Sequence, residues 1–291
     1  MKTYFIIKPN CRELANHLWN YLSVYAYGLE TRARVRNPSF IEWHRHFNLK
    51  TQESFLTRMV ASLPFIHSVW KAMCKLYGSY LIRFCEKCVR LTLGITTYLP
   101  PTRPLMGEDT CETTYFIGWH FRNPVGLGKH RKALIAAFTP TERILKTIED
   151  TLAPLQGKRL IGVHLRQQPY LGFDDGRFLV SPTRVRQIIE EYLYEKTLGV
   201  HDIALVVVSD KNVDPTTFDG LTTHIQYGND VNSLFLLSRC GVVIGDNSTF
   251  SNLAAWFGNI SHLVTTNEPI DWEYYRKPTT YFENKYATFA Q

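Results

Sequence analysis

Three short runs in the second half of the chain limit its fold more than any other feature. They are RLIGVHL (159–165), IALVVVS (203–209) and GVVIGD (241–246), and almost no polar residue interrupts them. A strand wetted on one face alternates apolar and polar side chains. A run that is apolar on both parities has both faces covered, as in a parallel sheet flanked by helices. Between the runs lie stretches of helical spacing: SPTRVRQIIEEYLYEK (181–196), DVNSLFLLSRC (230–240) and STFSNLAAWFG (248–258). Ser181 and Pro182 form a helix start, and Gly258 a helix stop. THIQY (223–227) supplies a weaker strand and HLVTT (262–266) a last one. This alternation predicts a doubly wound α/β domain.

The first half is less regular. TYFIIK (3–8) predicts a strand, and residues 11–29 a helix with Leu14, Leu18, Tyr21, Leu22 and Tyr25 at helical spacing. ARVRNPSF predicts a strand and turn, TTYFIGW (113–119) a strand, and HRKALIAAF a helix. TPTERILKTIEDTLAPL predicts another helix, with Thr139 or Thr141 as its cap. Residues 51–93 are mostly helical in pattern and basic, and 97–112 read as a proline-rich loop. The expected organisation is an N-terminal domain over 1–156, a second domain over 157–266, and a segment over 267–291 that packs back across both.

The 17 Phe, 16 Tyr and 6 Trp are ample for a packed core. Lysine and arginine outnumber aspartate and glutamate 33 to 26, a net charge of +7. That excess suits an anionic partner, or is simply a solvated basic surface. The basic residues are dispersed and no RNA-reading motif occurs, so nucleic acid is not expected. No GxxxxGK[ST] occurs, which excludes a P-loop NTPase. Of Cys11, Cys74, Cys85, Cys88, Cys111 and Cys240, only Cys85 and Cys88 form a CxxC, and no second pair completes a zinc site. A reduced compartment is therefore expected, and no metal. The N-terminal apolar run is broken by Lys8 and Pro9, unlike a signal peptide. No stretch approaches the roughly 18 apolar residues of a membrane span. The expected location is cytoplasmic, or the Golgi lumen if this sequence is part of a longer anchored chain.

Ligands of open α/β sheets bind beyond the carboxyl ends of the strands. Three such ends are polar here. His164 and Arg166 lie two apart at the first, so their side chains point the same way, and a guanidinium can grip a diphosphate. Asp210 follows the second, where it either bonds a ribose or base or simply ends the strand. The third opens a helix through Asp246, Asn247, Ser248, Thr249, Phe250 and Ser251. Such a turn either presents N–H groups and hydroxyls to a phosphate or only caps its own helix.

In order, VHLRQQPY, VVVSDK, SLFLLSRC and NSTFSNLAAWFG resemble motifs of the α1,2/α1,6-type fucosyltransferase superfamily, most closely the bacterial-type α1,2-fucosyltransferases. CRELANHLWNYLSVYAYGLETRARV and YFIGWHFRNPVGLGKHRKALIAAF are similar to the family's opening helix and a later segment. The resemblance implies a GT-B-like pair of Rossmann-type domains facing each other across a cleft. It implies a GDP-fucose donor and inverting, metal-independent transfer to a glycan hydroxyl, with no cofactor. Arg166 would hold the β-phosphate and His164 would face the nucleotide. Asn247, Ser248, Thr249, Phe250 and Ser251 would line the donor site, with Asp210 and Asp230 beside the nucleoside. Asp174 and Asp175, in YLGFDDGRF, are the candidates for the catalytic base; otherwise they form a solvated turn.

The chain departs from the family pattern at Gln167, Gln168 and Pro169, at Ser233 in place of a helix acid, and at CREL in place of the opening glycines. These departures touch base recognition, so the donor is GDP-fucose or another nucleotide sugar. A rival reading is a non-catalytic nucleotide- or glycan-binding domain derived from such an enzyme.

Overall fold

A computed structural model describes residues 2–7, 13–49, 113–117, 121–166, 179–228, 230–277 and 284–287. The stretches 51–93 and 97–112, the Cys85–Cys88 pair, Gln167–Tyr170, Asp174 and Asp175 lie outside these residues. The chain divides into two compact units, Met1–Glu142 and Arg143–Gln291.

The first unit holds a parallel sheet in the order β2-β1-β3, with β1 at Thr3–Ile7, β2 at Arg34–Arg36 and β3 at Thr113–Ile117. The helix α1 (Leu14–Thr31) links β1 to β2. The sequence predicts one apolar face for α1, yet the polar residues Asn16, His17, Asn20 and Ser23 are buried as well. A helix covered on nearly every side belongs to a core and not to a surface. Gly28 permits this packing, because a Cβ there would overlap the Val35 side chain. Aromatic rings fill the centre: Tyr21 meets Phe40 at 5.4 Å and Phe138 at 4.8 Å, both edge to face. Such pairs add about 0.5–1.5 kcal/mol each beyond their burial.

A one-turn helix, α2 (Ile41–His44), follows β2. The single helix expected over HRKALIAAF is preceded by another, so that α3 (Pro124–Lys129) and α4 (Arg131–Ala137) run in series. Asn123 caps α3 by accepting from Gly126 N at 2.9 Å, with Pro124 at the first helical position. Thr139 does not cap the next helix, α5 (Glu142–Leu152); its hydroxyl donates to Ile135 O at 3.0 Å and closes α4.

The second unit is a five-stranded parallel sheet in the order β6-β5-β4-β7-β8. The strands are β4 (Arg159–Leu165), β5 (Ile203–Ser209), β6 (Thr223–Tyr227), β7 (Val242–Gly245) and β8 (Ser261–Val264). Every residue of β5 is buried, as its unbroken apolar run predicts. The connecting helices are α6 (Pro182–Glu195), α7 (Asp230–Leu237) and α8 (Thr249–Gly258). Ser181 caps α6 through Arg184 N at 3.1 Å. Val163, Ile188, Ile189, Leu205, Val207 and Ile244 lie in the core between sheet and helices. The described part of 267–291 packs against β8. Asn284 Nδ2 donates to His262 O at 2.7 Å, and Val264 N donates to the hydroxyl of Tyr275, the last residue of α9 (Trp272–Tyr275), at 3.2 Å.

Candidate functional site

The chain lays β4, β5 and β6 outward in one direction, then returns to place β7 and β8 on the other flank of β4. The reversal makes a crevice between β4 and β7 at their carboxyl ends, the usual ligand position in such sheets. Two of the polar strand ends singled out in the sequence meet there. His164 pairs in register with Gly245, the last pair of the two strands, so Arg166 and Asn247, each two residues further on, leave the ends of adjacent strands. On the other side Leu165 pairs with Ser209, and Asp210 N donates to Leu165 O at 3.4 Å. Arg166, Asp210 and the Asn247–Ser251 turn thus share one edge of the sheet.

The turn is held by a buried polar cluster centred on Asp246. Its Oδ1 lies 2.9 Å from His164 Nδ1, and it accepts from Ser248 Oγ at 2.9 Å and Ser251 Oγ at 3.0 Å. Asp246 is 5% exposed and His164 7%, so neither group is hydrated and both depend on these partners. A carboxylate only accepts, so His164 Nδ1 carries a hydrogen. Ser251 Oγ lies 2.8 Å from that same Nδ1. Serine and aspartate therefore meet one ring nitrogen instead of opposite ones, which is not the arrangement of a Ser-His-Asp hydrolase. Phe250 stands against the imidazole, ring centres 4.9 Å apart.

A second histidine braces the turn from β8. His262 Nδ1 lies 2.8 Å from the Asn252 carboxamide, and Nε2 lies 3.2 Å from Gly245 O. Complete burial pushes the His262 pKa down to about 4, so the ring is neutral. Gly245 must lack a side chain, because a Cβ would stand 2.8 Å from Ser251 Oγ and 2.9 Å from His164 Cβ. Close approach of β4 and the α8 start requires glycine here.

His164, Arg166, Asn247, Ser248, Thr249, Phe250 and Ser251 all lie on β4 and the β7–α8 turn. Their settings differ. Ser248 and Ser251 are buried, with their hydroxyls given to Asp246, and Ser248 also caps α8 by accepting from Ser251 N at 3.2 Å. These serines shape the turn from within. Asn247 and Phe250 are half-buried, and the Phe250 amide, in the first turn of α8, has no acceptor among the described residues. Asp230 is exposed at the start of α7, beyond β6, and does not join this cluster. His164 is buried and does not lie at the surface. Asn252, Gly245 and His262 emerge only from the structure, as does the role of Asp246 as the hub of the turn. Asp246 had one signal, its place between an apolar strand and a helix start; His262 had none, because HLVTT reads as a plain strand.

Two α/β units built on parallel sheets, the second with a buried polar cluster at its switch point, define the class of fold. No protein-family model and no curated protein matches the sequence. Solved structures do match, fucosyltransferases among them. The FUT1 mutant of Arabidopsis thaliana in complex with GDP is 13% identical, with 92% of this chain and 71% of that one covered and a TM-score of 0.53. NodZ alpha-1,6-fucosyltransferase soaked with GDP-fucose is 13% identical over 88% of this chain and 93% of its own, with a TM-score of 0.53. POFUT1 in complex with GDP is 11% identical over 90% and 98%, with a TM-score of 0.50. The likeness is one of fold and spans nearly the whole chain.

Proposed function

We propose that the chain is a divergent glycosyltransferase of the fucosyltransferase superfamily, with the second unit as donor lobe and the first as acceptor-side lobe of a GT-B-like enzyme. The donor is GDP-fucose, and transfer to a glycan hydroxyl is inverting. The observation that carries this reading is the β4–β7 register, which sets Arg166 at the same sheet edge as the start of α8. A diphosphate there meets a guanidinium and the positive end of a helix dipole, so charge developing on the leaving group is stabilised by groups already in place. With Ser248 and Ser251 engaged inside the turn, the phosphates are met by backbone N–H groups of the first turn, by Asn247 and by Arg166. Asp210 and Asp230, off β5 and β6, lie on the nucleoside side. The fold shared with solved GDP-bound fucosyltransferases supports this reading.

The test is a thermal-shift panel of GDP, UDP, CMP and their sugars on wild type and Arg166→Ala. GDP and GDP-fucose should raise the melting temperature of wild type, by an amount equivalent to about 2.7 kcal/mol at a hundred times Kd. Arg166→Ala should keep its own melting temperature, lose most of the GDP shift, and transfer fucose about a hundredfold more slowly. Silence of the whole panel on wild type, or near-normal turnover in Arg166→Ala, would refute the assignment. GDP binding with no transfer to any acceptor would mean a binding domain.

A further inference from the structure

On the other flank of the turn, the second unit encloses a cavity of about 370 Å³ beyond the ends of β7 and β8. Asn247 is one of its lining residues, so the cavity adjoins the proposed diphosphate site. Its walls are mainly apolar, with Ile270, Tyr275 and Tyr286 among them, and the two tyrosine rings stack at 5.7 Å and 25°. Its two charged lining residues, Glu268 and Asp271, are both acidic. Asp271 Oδ2 accepts from Tyr286 OH at 2.8 Å and Lys285 Nζ at 3.0 Å, while Oδ1 accepts from Tyr274 N at 3.1 Å. Those hydrogen bonds hold the Asp271 carboxyl at about 2, so it stays charged and is a poor base. Lys285 is occupied by this pairing and by the rings of Tyr274 and Tyr286, 4.5 Å and 4.8 Å away. Glu268 adds a second carboxylate, exposed and with no side-chain hydrogen bond among the described residues. The backbone of Glu268 is fixed: its carbonyl accepts from Arg184 Nη2 at 3.0 Å, and its N–H donates to Thr266 Oγ1 at 3.1 Å.

This chemistry turns away phosphate and suits a neutral ring rich in hydroxyls. Carboxylates accept hydroxyl hydrogens, and tyrosine faces take the C–H side of a pyranose. Pockets of about 300–1,000 Å³ with a few placed polar groups are the usual size for small ligands. We infer that this cavity binds a sugar ring of the acceptor glycan, with Glu268 accepting a hydrogen bond from a ring hydroxyl. The acceptor role rests on the transferase reading above. It places part of acceptor recognition in the second unit, beside the donor's diphosphate, in addition to whatever the first unit supplies.

Ile270→Trp fills the cavity, and Glu268→Gln removes the charge at an exposed position that folding does not depend on. Both variants and wild type are compared in three assays: GDP binding by thermal shift, saturation-transfer NMR with methyl glycosides of galactose, glucose and N-acetylglucosamine, and transfer from GDP-fucose. At least one glycoside should bind wild type. Ile270→Trp should weaken that binding, and raise the acceptor KM, by about tenfold or more, with GDP affinity unchanged. Glu268→Gln should raise the acceptor KM and leave the donor KM alone. Glycoside binding that survives Ile270→Trp, or a donor KM that rises in place of the acceptor's, overturns the assignment. Should Ile270→Trp not fold, an unchanged acceptor KM in Glu268→Gln overturns it. No glycoside signal beside intact GDP binding overturns the pocket alone; glycoside binding with no GDP binding overturns the acceptor role together with the transferase reading.

Discussion

Asp246 and His262 show how single buried side chains set the geometry of a ligand edge. Asp246 gathers an imidazole N–H and two hydroxyls on one oxygen, which fixes the strand end, the turn and the helix start against one another. His262 does the same from β8, and it carries a measurable signature. Its pKa is about 4 in the folded protein against an ordinary 6.5, so between those values the unfolded chain binds a proton that the native state refuses. Stability therefore rises with pH across that window and is lost as pH falls through it. The contribution of this one group is up to about 3 kcal/mol. Urea unfolding midpoints measured from pH 7 to pH 4 should fall, and His262→Gln should flatten that part of the profile. An unchanged slope in the variant would mean that His262 is not held neutral.

At the scale of elements, two helix starts that look alike in the sequence differ in what they do. Ser181 caps α6 and nothing more is asked of it, so Ser181→Ala should cost about 1 kcal/mol, the ordinary value of a cap. Ser248 caps α8 and also donates to buried Asp246. Ser248→Ala should therefore cost more, about 2–3 kcal/mol, because a buried acceptor loses a donor as well. It should also weaken GDP binding, which Ser181→Ala should not; denaturant titration and a GDP titration on both variants decide this. The strands of the second unit were legible because their signal is local. Arg159–Leu165 and Ile203–Ser209 are apolar on both parities, and Thr223–Tyr227 is bounded by turn residues. The cap at Ser181 was legible for the same reason, whereas that of α8 was legible only as lying somewhere in the turn that Ser248 belongs to. The Asp246 hub was not, since an aspartate after a strand reads equally well as a terminator. Nor was the burial of Asn16, Asn20 and Ser23 on α1, because periodicity reports which face is apolar and is silent about a helix enclosed on every side. The pairing of His164 with Gly245 joins distant segments, and no local pattern encodes it.

At the scale of the molecule, each unit has its own parallel sheet and its own core. The donor reading assigns the nucleotide to the second unit, and hydrogen exchange can test this assignment along the whole chain. GDP should slow exchange most in peptides covering 160–166 and 245–252, where amides of the β4 end and the α8 start meet the phosphates. Strongest protection elsewhere would move the donor site. The order β6-β5-β4-β7-β8 has one more consequence. β4 is the first strand of its sheet to leave the ribosome, yet one flank of it stays open until β7, about half a unit later, has been synthesised. Throughout that interval the nascent chain displays an unsatisfied apolar edge, with His164 waiting for an aspartate not yet made. Such an edge is prone to pair with the wrong chain. The yield of native protein in a cell should therefore depend on chaperones that shield this half-built sheet during translation.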